Sequence, residues 1–404
     1  MTYDVESVRA RFPSLATGTA HFDGPGGSQV PAVVADAVRD ALTSSLANRG
    51  VVTAAERAAD AIVLDARRAM GDLLGADPAG VVFGRSMTQL TYDFARTLAR
   101  TWRPGDEVVV TRLDHDANVR PWAQAAEAVG AVVRWVGFDP ATGELDDVAE
   151  ALSDRTRLVA VTAASNLIGT RTPVADIVAS AHARGALCYV DGVHFAAHHA
   201  VDVAALGADF FACSPYKFFG PHCGVVAGRP EVLADLRPDK LLPSPDAVPE
   251  RFELGTLPYE ILAGCTAAVD FIADLAPTDA TRAQGGRRAR IEASLAAVGG
   301  HEDRLRERVE AGLRELPGAV VWSRAGSRTP TVLVTFEGHA AADAYRHLAG
   351  LGVNAPAGSF YAIETSRWLG LGDTGGLRVG LAPYSTDAEV DRLLDGLADF
   401  LRRA

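Results

Sequence analysis

The chain has 404 residues, 48% of them hydrophobic and 22% charged, which suits a large core and two or three domains. A formal net charge of -12 argues against a nucleic-acid footprint and against an anionic-membrane partner. Cys188, Cys213, Cys223 and Cys265 show no C-x-x-C spacing, so reduced thiols are expected rather than a disulfide framework, and no metal.

The opening residues MTYDVESVRARF carry acids and no apolar run, and no later run is long enough for a bilayer. A soluble, cytoplasmic protein is expected. From about residue 75 to 230, short apolar runs alternate with helical patterns. The runs begin at Gly80, Glu107, Leu158, Leu187, Asp209 and Gly224. They are unbroken rather than alternating, as for strands buried on both faces. Between them lie amphipathic stretches such as Thr88 to Arg100, where Leu90, Phe94 and Leu98 recur every four residues. This alternation predicts an α/β domain with a mainly parallel sheet. Leu241 to Val248, with two prolines, reads as an exposed loop. A second region starts near residue 266. A Gly- and Arg-rich stretch (AQGGRRARIEAS) precedes a charged helix, His301 to Leu316. Apolar runs at 319–322 and 331–336 and a final helix, Asp387 to Arg403, complete a smaller α+β domain.

Several predicted strands run into polar residues. The run ending at Val190 is followed by Asp191 and Gly192, and ligands of open α/β sheets bind beyond such strand ends. Alone, Asp191 serves equally as a helix cap. The next strand leads to Ser214-Pro215-Tyr216-Lys217-Phe218-Phe219. An apolar surround disfavours the charged ammonium and makes Lys217 a nucleophilic amine, although a lone lysine more often snorkels over aromatic surface. Paired with Asp191, it fits a pyridoxal-5'-phosphate (PLP) site, which needs a lysine for the aldehyde and a carboxylate for the ring nitrogen.

Other strand ends point to the same edge. Ser86, Met87 and Thr88 open a helix whose free N–H groups suit a phosphate, or are simply capped. His115 could stack on an aromatic ring, and Asn166 could donate to a cofactor oxygen or make a turn. Arg378, in an otherwise apolar stretch, suits an α-carboxylate, with a structural ion pair as the alternative. A dinucleotide enzyme is disfavoured, because neither G-x-G-x-x-G after a strand nor G-x-x-x-x-G-K-[ST] is found.

These residues, with His21 to Gly27 (HFDGPGG), Asn48-Arg49-Gly50 and the block Tyr189 to Gly220, resemble the class V aminotransferase family of fold-type I PLP enzymes, in its cysteine desulfurase-like branch. The resemblance implies a PLP-binding large domain over 16–265, a small C-terminal domain over 266–404, and residues 1–15 packed on the latter. It implies Lys217 as the Schiff-base lysine, Asp191 at the ring nitrogen and His115 on the ring. Met87, Thr88, Asn166, His194, Ser214 and Thr256 would bind the cofactor. Arg378, Asn166, Gly26 and Tyr361 would face the substrate. Glu253-Leu254-Gly255-Thr256 matches an E-x-G-T segment whose threonine reaches the neighbouring subunit's phosphate, which implies a homodimer. Three residues depart from the pattern. His194 stands where many relatives have glutamine, and Tyr216 where desulfurases have histidine. Tyr361 stands where they carry the sulfur-accepting cysteine. Cys223 is taken as a core residue. The resemblance therefore implies an enzyme acting on a small amino acid through an external aldimine. The first expectation is C–S cleavage by β-elimination without a loop persulfide. Transamination, epimerisation and a catalytically silent PLP-binding protein are the alternatives.

Overall fold

A computed structural model describes residues 3–276 and 285–403, so Ala283 and Gln284 of the Gly- and Arg-rich stretch lie outside the described residues. After a short strand β1 (Ala20–His21), seven strands form one sheet. They are β2 (Val81–Gly84), β3 (Glu107–Thr111), β4 (Val132–Val136), β5 (Thr156–Thr162), β6 (Leu187–Asp191), β7 (Phe210–Cys213) and β8 (Gly224–Gly228). Their order is β2-β8-β7-β6-β5-β3-β4. Every pairing is parallel except the two made by β8. The six unbroken apolar runs are all strands of this sheet. Successive residues of β6 and β7 enter opposite cores, Val190 and Phe211 on one face, Tyr189 and Phe210 on the other. Both faces are therefore covered, and alternation disappears from the sequence. The helix Met87–Ala99 buries Leu90, Phe94 and Leu98 against the second of these faces. The loop from Leu241 is exposed, with Leu242 almost wholly in solvent.

The C-terminal region builds a second sheet from β9 (Ala319–Val321), β10 (Thr331–Phe336), β12 (Ala357–Gly358) and β13 (Gly376–Gly380), in the antiparallel order β12-β13-β10-β9. Between them β11 (Val353–Asn354) pairs in parallel with β1. The final helix spans Asp387–Arg403 as expected. The preceding long helix departs from expectation. It starts at Gly286, not His301, and passes through Gly299 and Gly300. Ile291, Leu295 and Val298 bury on one side of that glycine pair, Leu305, Val309 and Leu313 on the other, and this packing overrides the weak local propensity. Another helix, Tyr259–Ala273, runs without a break through residues 265 and 266.

The N-terminal segment touches both regions. The Tyr3 hydroxyl donates to the Pro383 carbonyl at 3.0 Å and Arg9 pairs with Glu389 at 2.9 Å, while Phe12 packs on Tyr384 and, in the large region, on Phe219. Backbone hydrogen bonds join the C-terminal region to loops beside the large sheet. Gly380 N–H donates to Phe22 at 2.8 Å, and Thr329 N–H to Gly169 at 2.9 Å. The first sets β13, which carries Arg378, against the loop that carries Asp23.

Candidate active site

A cavity of about 620 Å³ opens where β2, β3, β5, β6 and β7 end, the usual ligand position in such a sheet. Gly26, Met87, Thr88, His115, Asn166, Asp191, His194, Ser214, Lys217, Tyr361 and Arg378 line it. Of the expected site residues, Thr256 alone is elsewhere. It is exposed, beyond Glu253.

Lys217 closes a short turn, Pro215–Lys217, directly after β7. Its Nζ donates to the carbonyls of Pro25 at 2.5 Å and Gly26 at 3.0 Å, and lies 4.6 Å from the Tyr216 ring centre. Burial, and then the charge of Arg378, push its pKa from 10.5 down to about 7. A neutral amine is thus available at physiological pH. Asp191 ends β6, and its Oδ1 accepts from Val193 N–H at 2.9 Å. Burial raises its pKa to about 6, against the pull of that bond and of Lys217. Gly192 is required next, since a Cβ there would lie 2.0 Å from the Phe211 ring.

His115 accepts the Ala117 N–H at Nδ1, 3.0 Å away. Burial, then Lys217, lower its pKa to about 4, so the ring is neutral. Its loop is fixed by Asp114, which sequence reasoning missed. That buried carboxyl accepts from Asn118 Nδ2 at 2.7 Å and from the Thr111 hydroxyl. Burial pushes it up to about 8. His194 sits among hydroxyls of the second region, with Nε2 2.8 Å from Thr329 Oγ1 and 3.0 Å from Thr331 Oγ1. That leaves Nδ1 as the nitrogen open to a ligand. Burial and neighbouring cationic groups hold its pKa well below the ordinary histidine value. Met87 and Thr88 are the first residues of their helix, where N–H groups have no intrahelical acceptor, and Ser86 caps it through Gln89 N–H at 3.1 Å.

Arg378 is 1% exposed. Its Nη2 donates to Asp23 Oδ1 at 2.8 Å and its Nη1 to the Asn166 carbonyl at 3.1 Å. The Phe360 ring covers its face at 3.6 Å. Asn166 Nδ2 donates to the Phe360 carbonyl at 3.0 Å. Among the described residues, buried Arg378 Nε and Asn166 Oδ1 have no partner. Phe360 and Tyr361 both adopt left-handed backbone, φ 51° and 59°, a strained state for bulky residues. It is held by the Asn166 bond and by Asp116 N–H, which donates to the Tyr361 carbonyl at 2.8 Å. The Tyr361 ring faces His115 at 5.4 Å and is 76% exposed.

Asp23 and Phe360 were not foreseen as site residues. Asp23 stands in the HFDGPGG segment, which was a signal, but its arginine partner lies 355 positions away. All four cysteines are buried and none lines the cavity. Cys223 and Cys265 bring their sulfurs within 3.3 Å in the core.

The family model for aminotransferase class-V matches residues 20–393. An uncharacterized protein of Mycobacterium tuberculosis is 34% identical over 98% of this chain and 99% of its own. A cysteine desulfurase of Dickeya dadantii is 32% identical over 98% of this chain and 96% of its own. The solved cysteine desulfurase CsdA of Escherichia coli superposes with a TM-score of 0.86 at 26% identity, covering 100% of this chain and 99% of that one. With this fold and this site, the chain belongs to the class V aminotransferase family. Within the family it falls in the cysteine desulfurase-like branch, and it is a PLP-dependent enzyme. The residues present fit the cofactor. A lysine amine of lowered pKa, a buried carboxylate and the unpartnered Asn166 Oδ1 meet in one cavity beside a helix start. Among the described residues no helix is long and apolar enough to cross a membrane.

Proposed function

We propose that this enzyme removes the β-substituent of a small cysteine-type amino acid and releases the sulfur directly, as a C–S lyase with no persulfide on the protein. The observation that carries the reading is the cavity mouth. Tyr361 lines it, at the place where the family resemblance puts the desulfurase cysteine, and the four cysteines lie buried away from the cavity. Sulfur leaving the substrate meets no protein thiol there.

Lys217 would hold the aldehyde carbon of PLP, Asp191 its ring nitrogen, and His115 its ring face. Met87, Thr88 and Ser214 would take the phosphate, with Asn166 and His194 toward the ring oxygen. Thr256 would serve the phosphate of a second copy in a homodimer. Bound PLP supplies an electron sink that weakens the bonds at the substrate α-carbon. The chain does the rest. Arg378 binds the α-carboxylate and so orients the bonds at that carbon. Lys217, once its amine is free, accepts the α-proton, a role matched by a pKa near neutrality. Asp191 holds the proton at the ring nitrogen. The β-sulfur departs with the C–S electron pair and takes up a proton. In sum, cysteine and water give pyruvate, ammonia and hydrogen sulfide.

The test is purified holoenzyme with L-cysteine. Sulfide and pyruvate are expected in equal amounts, with no sulfur adduct on the protein by intact mass. A protein persulfide would sink the reading. A keto acid with an aminated acceptor would replace it with transamination. Neither product, and a visible spectrum unmoved by amino acids, would make the protein a silent PLP binder.

A further inference from the structure

Arg378 is no free cation awaiting a ligand. Asp23 Oδ1 holds its Nη2 at 2.8 Å, the Asn166 carbonyl holds Nη1, and Phe360 covers its face. Its Nε is buried and unpartnered among the described residues. One carboxylate can therefore approach, along the edge that includes Nε. Asp23 cannot easily move aside. Its backbone bridges to Gly380 on β13, and its carboxylate fills the space beside Gly26, where a Cβ would lie 2.4 Å from Oδ2.

The other charges of the cavity are also committed. Arg120 donates to Asp116 at 2.9 Å and has Glu364 at 3.7 Å. Lys217 donates to two carbonyls here and belongs to the cofactor in the loaded enzyme, with Asp191. His115 and His194 are neutral, because burial lowers both. Arg378 and Arg120 thus each have an acid. A second anion on a substrate would lose its water, face Asp23 and Asp116, and meet only arginines already paired with acids, an arrangement that costs heavily. The mouth offers neutral walls instead, among them Tyr92, Pro121 and Tyr361.

We infer that the site admits amino acids with a single carboxylate and an uncharged side chain, and that Asp23 enforces this by neutralising Arg378 from within. The inference rests on the reading of Arg378 as the carboxylate anchor. It names the substrate class and makes Asp23 a specificity-determining residue.

Two inert acids of equal chain length, butyrate and succinate, test it by calorimetric titration of the holoenzyme, so that binding is read without turnover. Butyrate should bind at least about tenfold more tightly than succinate, the discrimination expected of one unpaired desolvated charge. Asp23→Asn frees a full positive charge at Arg378 and should close that gap by about tenfold. Equal or tighter binding of succinate to the wild type, or binding of neither acid, overturns the inference. So does a gap unchanged in a folded Asp23→Asn protein that keeps its visible cofactor band. Should that variant not fold, spectral titration of the wild type with L-norvaline and L-glutamate decides, glutamate being the ligand that should fail. Intact butyrate preference without sulfide or pyruvate from cysteine would remove the elimination reading and leave this inference standing.

Discussion

The carboxyl edge of the large sheet and the face of the C-terminal region supply one cavity by different means. At the sheet edge placement is local. Asp191 is the last residue of β6, and Lys217 ends the turn that follows β7. The C-terminal contribution is made at long range. Arg378 meets Asp23 across 355 positions, and Asn166 meets Phe360 across 194. Chemistry at the edge is thus fixed by strands that the core holds on both faces. The C-terminal side of the cavity rests on a few hydrogen bonds between regions.

Lys217→Ala breaks the edge and should have the largest effect. Turnover falls by about 10³-fold or more, since both the nucleophile and the proton acceptor are lost, and the internal cofactor band disappears from the visible spectrum. Arg378→Ala should separate the two regions. Loss of a charge-assisted hydrogen-bonded anchor, about 1.5–3 kcal/mol, raises KM by about 10- to 150-fold, while the cofactor band persists because the sheet edge is untouched. A third measurement reads the edge by pH. Only the neutral amine of Lys217 captures the aldehyde, and its pKa is pushed down to about 7. Uptake of PLP by apoprotein should therefore slow as pH falls below about 7 and level off above it. An unperturbed lysine would keep gaining rate toward pH 10. Tyr361→Phe should have the smallest effect. The ring is exposed, so stability shifts by about 0.5 kcal/mol or less by thermal unfolding, and sulfide release stays within about twofold. A large loss there would give the phenol a chemical role.

The sheet was legible because buried strands write unbroken apolar runs and end in polar residues. β4 escaped notice because it is an edge strand. Its residues alternate in exposure, and Val132 is 41% in solvent. The start of the long helix was hidden by Gly299 and Gly300, which break local propensity but not packing. The lysine, aspartate, histidine and arginine of the site could be picked out from strand ends and resemblance. Asp23 and Phe360 could not be assigned, because what makes them matter is a partner distant in sequence. Thr256 fell outside the cavity, exposed past the buried Glu253.

Just before that threonine, Glu253 is gripped in the interior by Arg67, at 2.9 and 2.8 Å, and accepts the Phe83 N–H of β2 at 2.9 Å. Leu254, Gly255 and Thr256 stand out into solvent. The same strand leads into Ser86, Met87 and Thr88. Protruding tip and helix start thus flank one buried ion pair, so a change at Arg67 or Glu253 disturbs both ends at once.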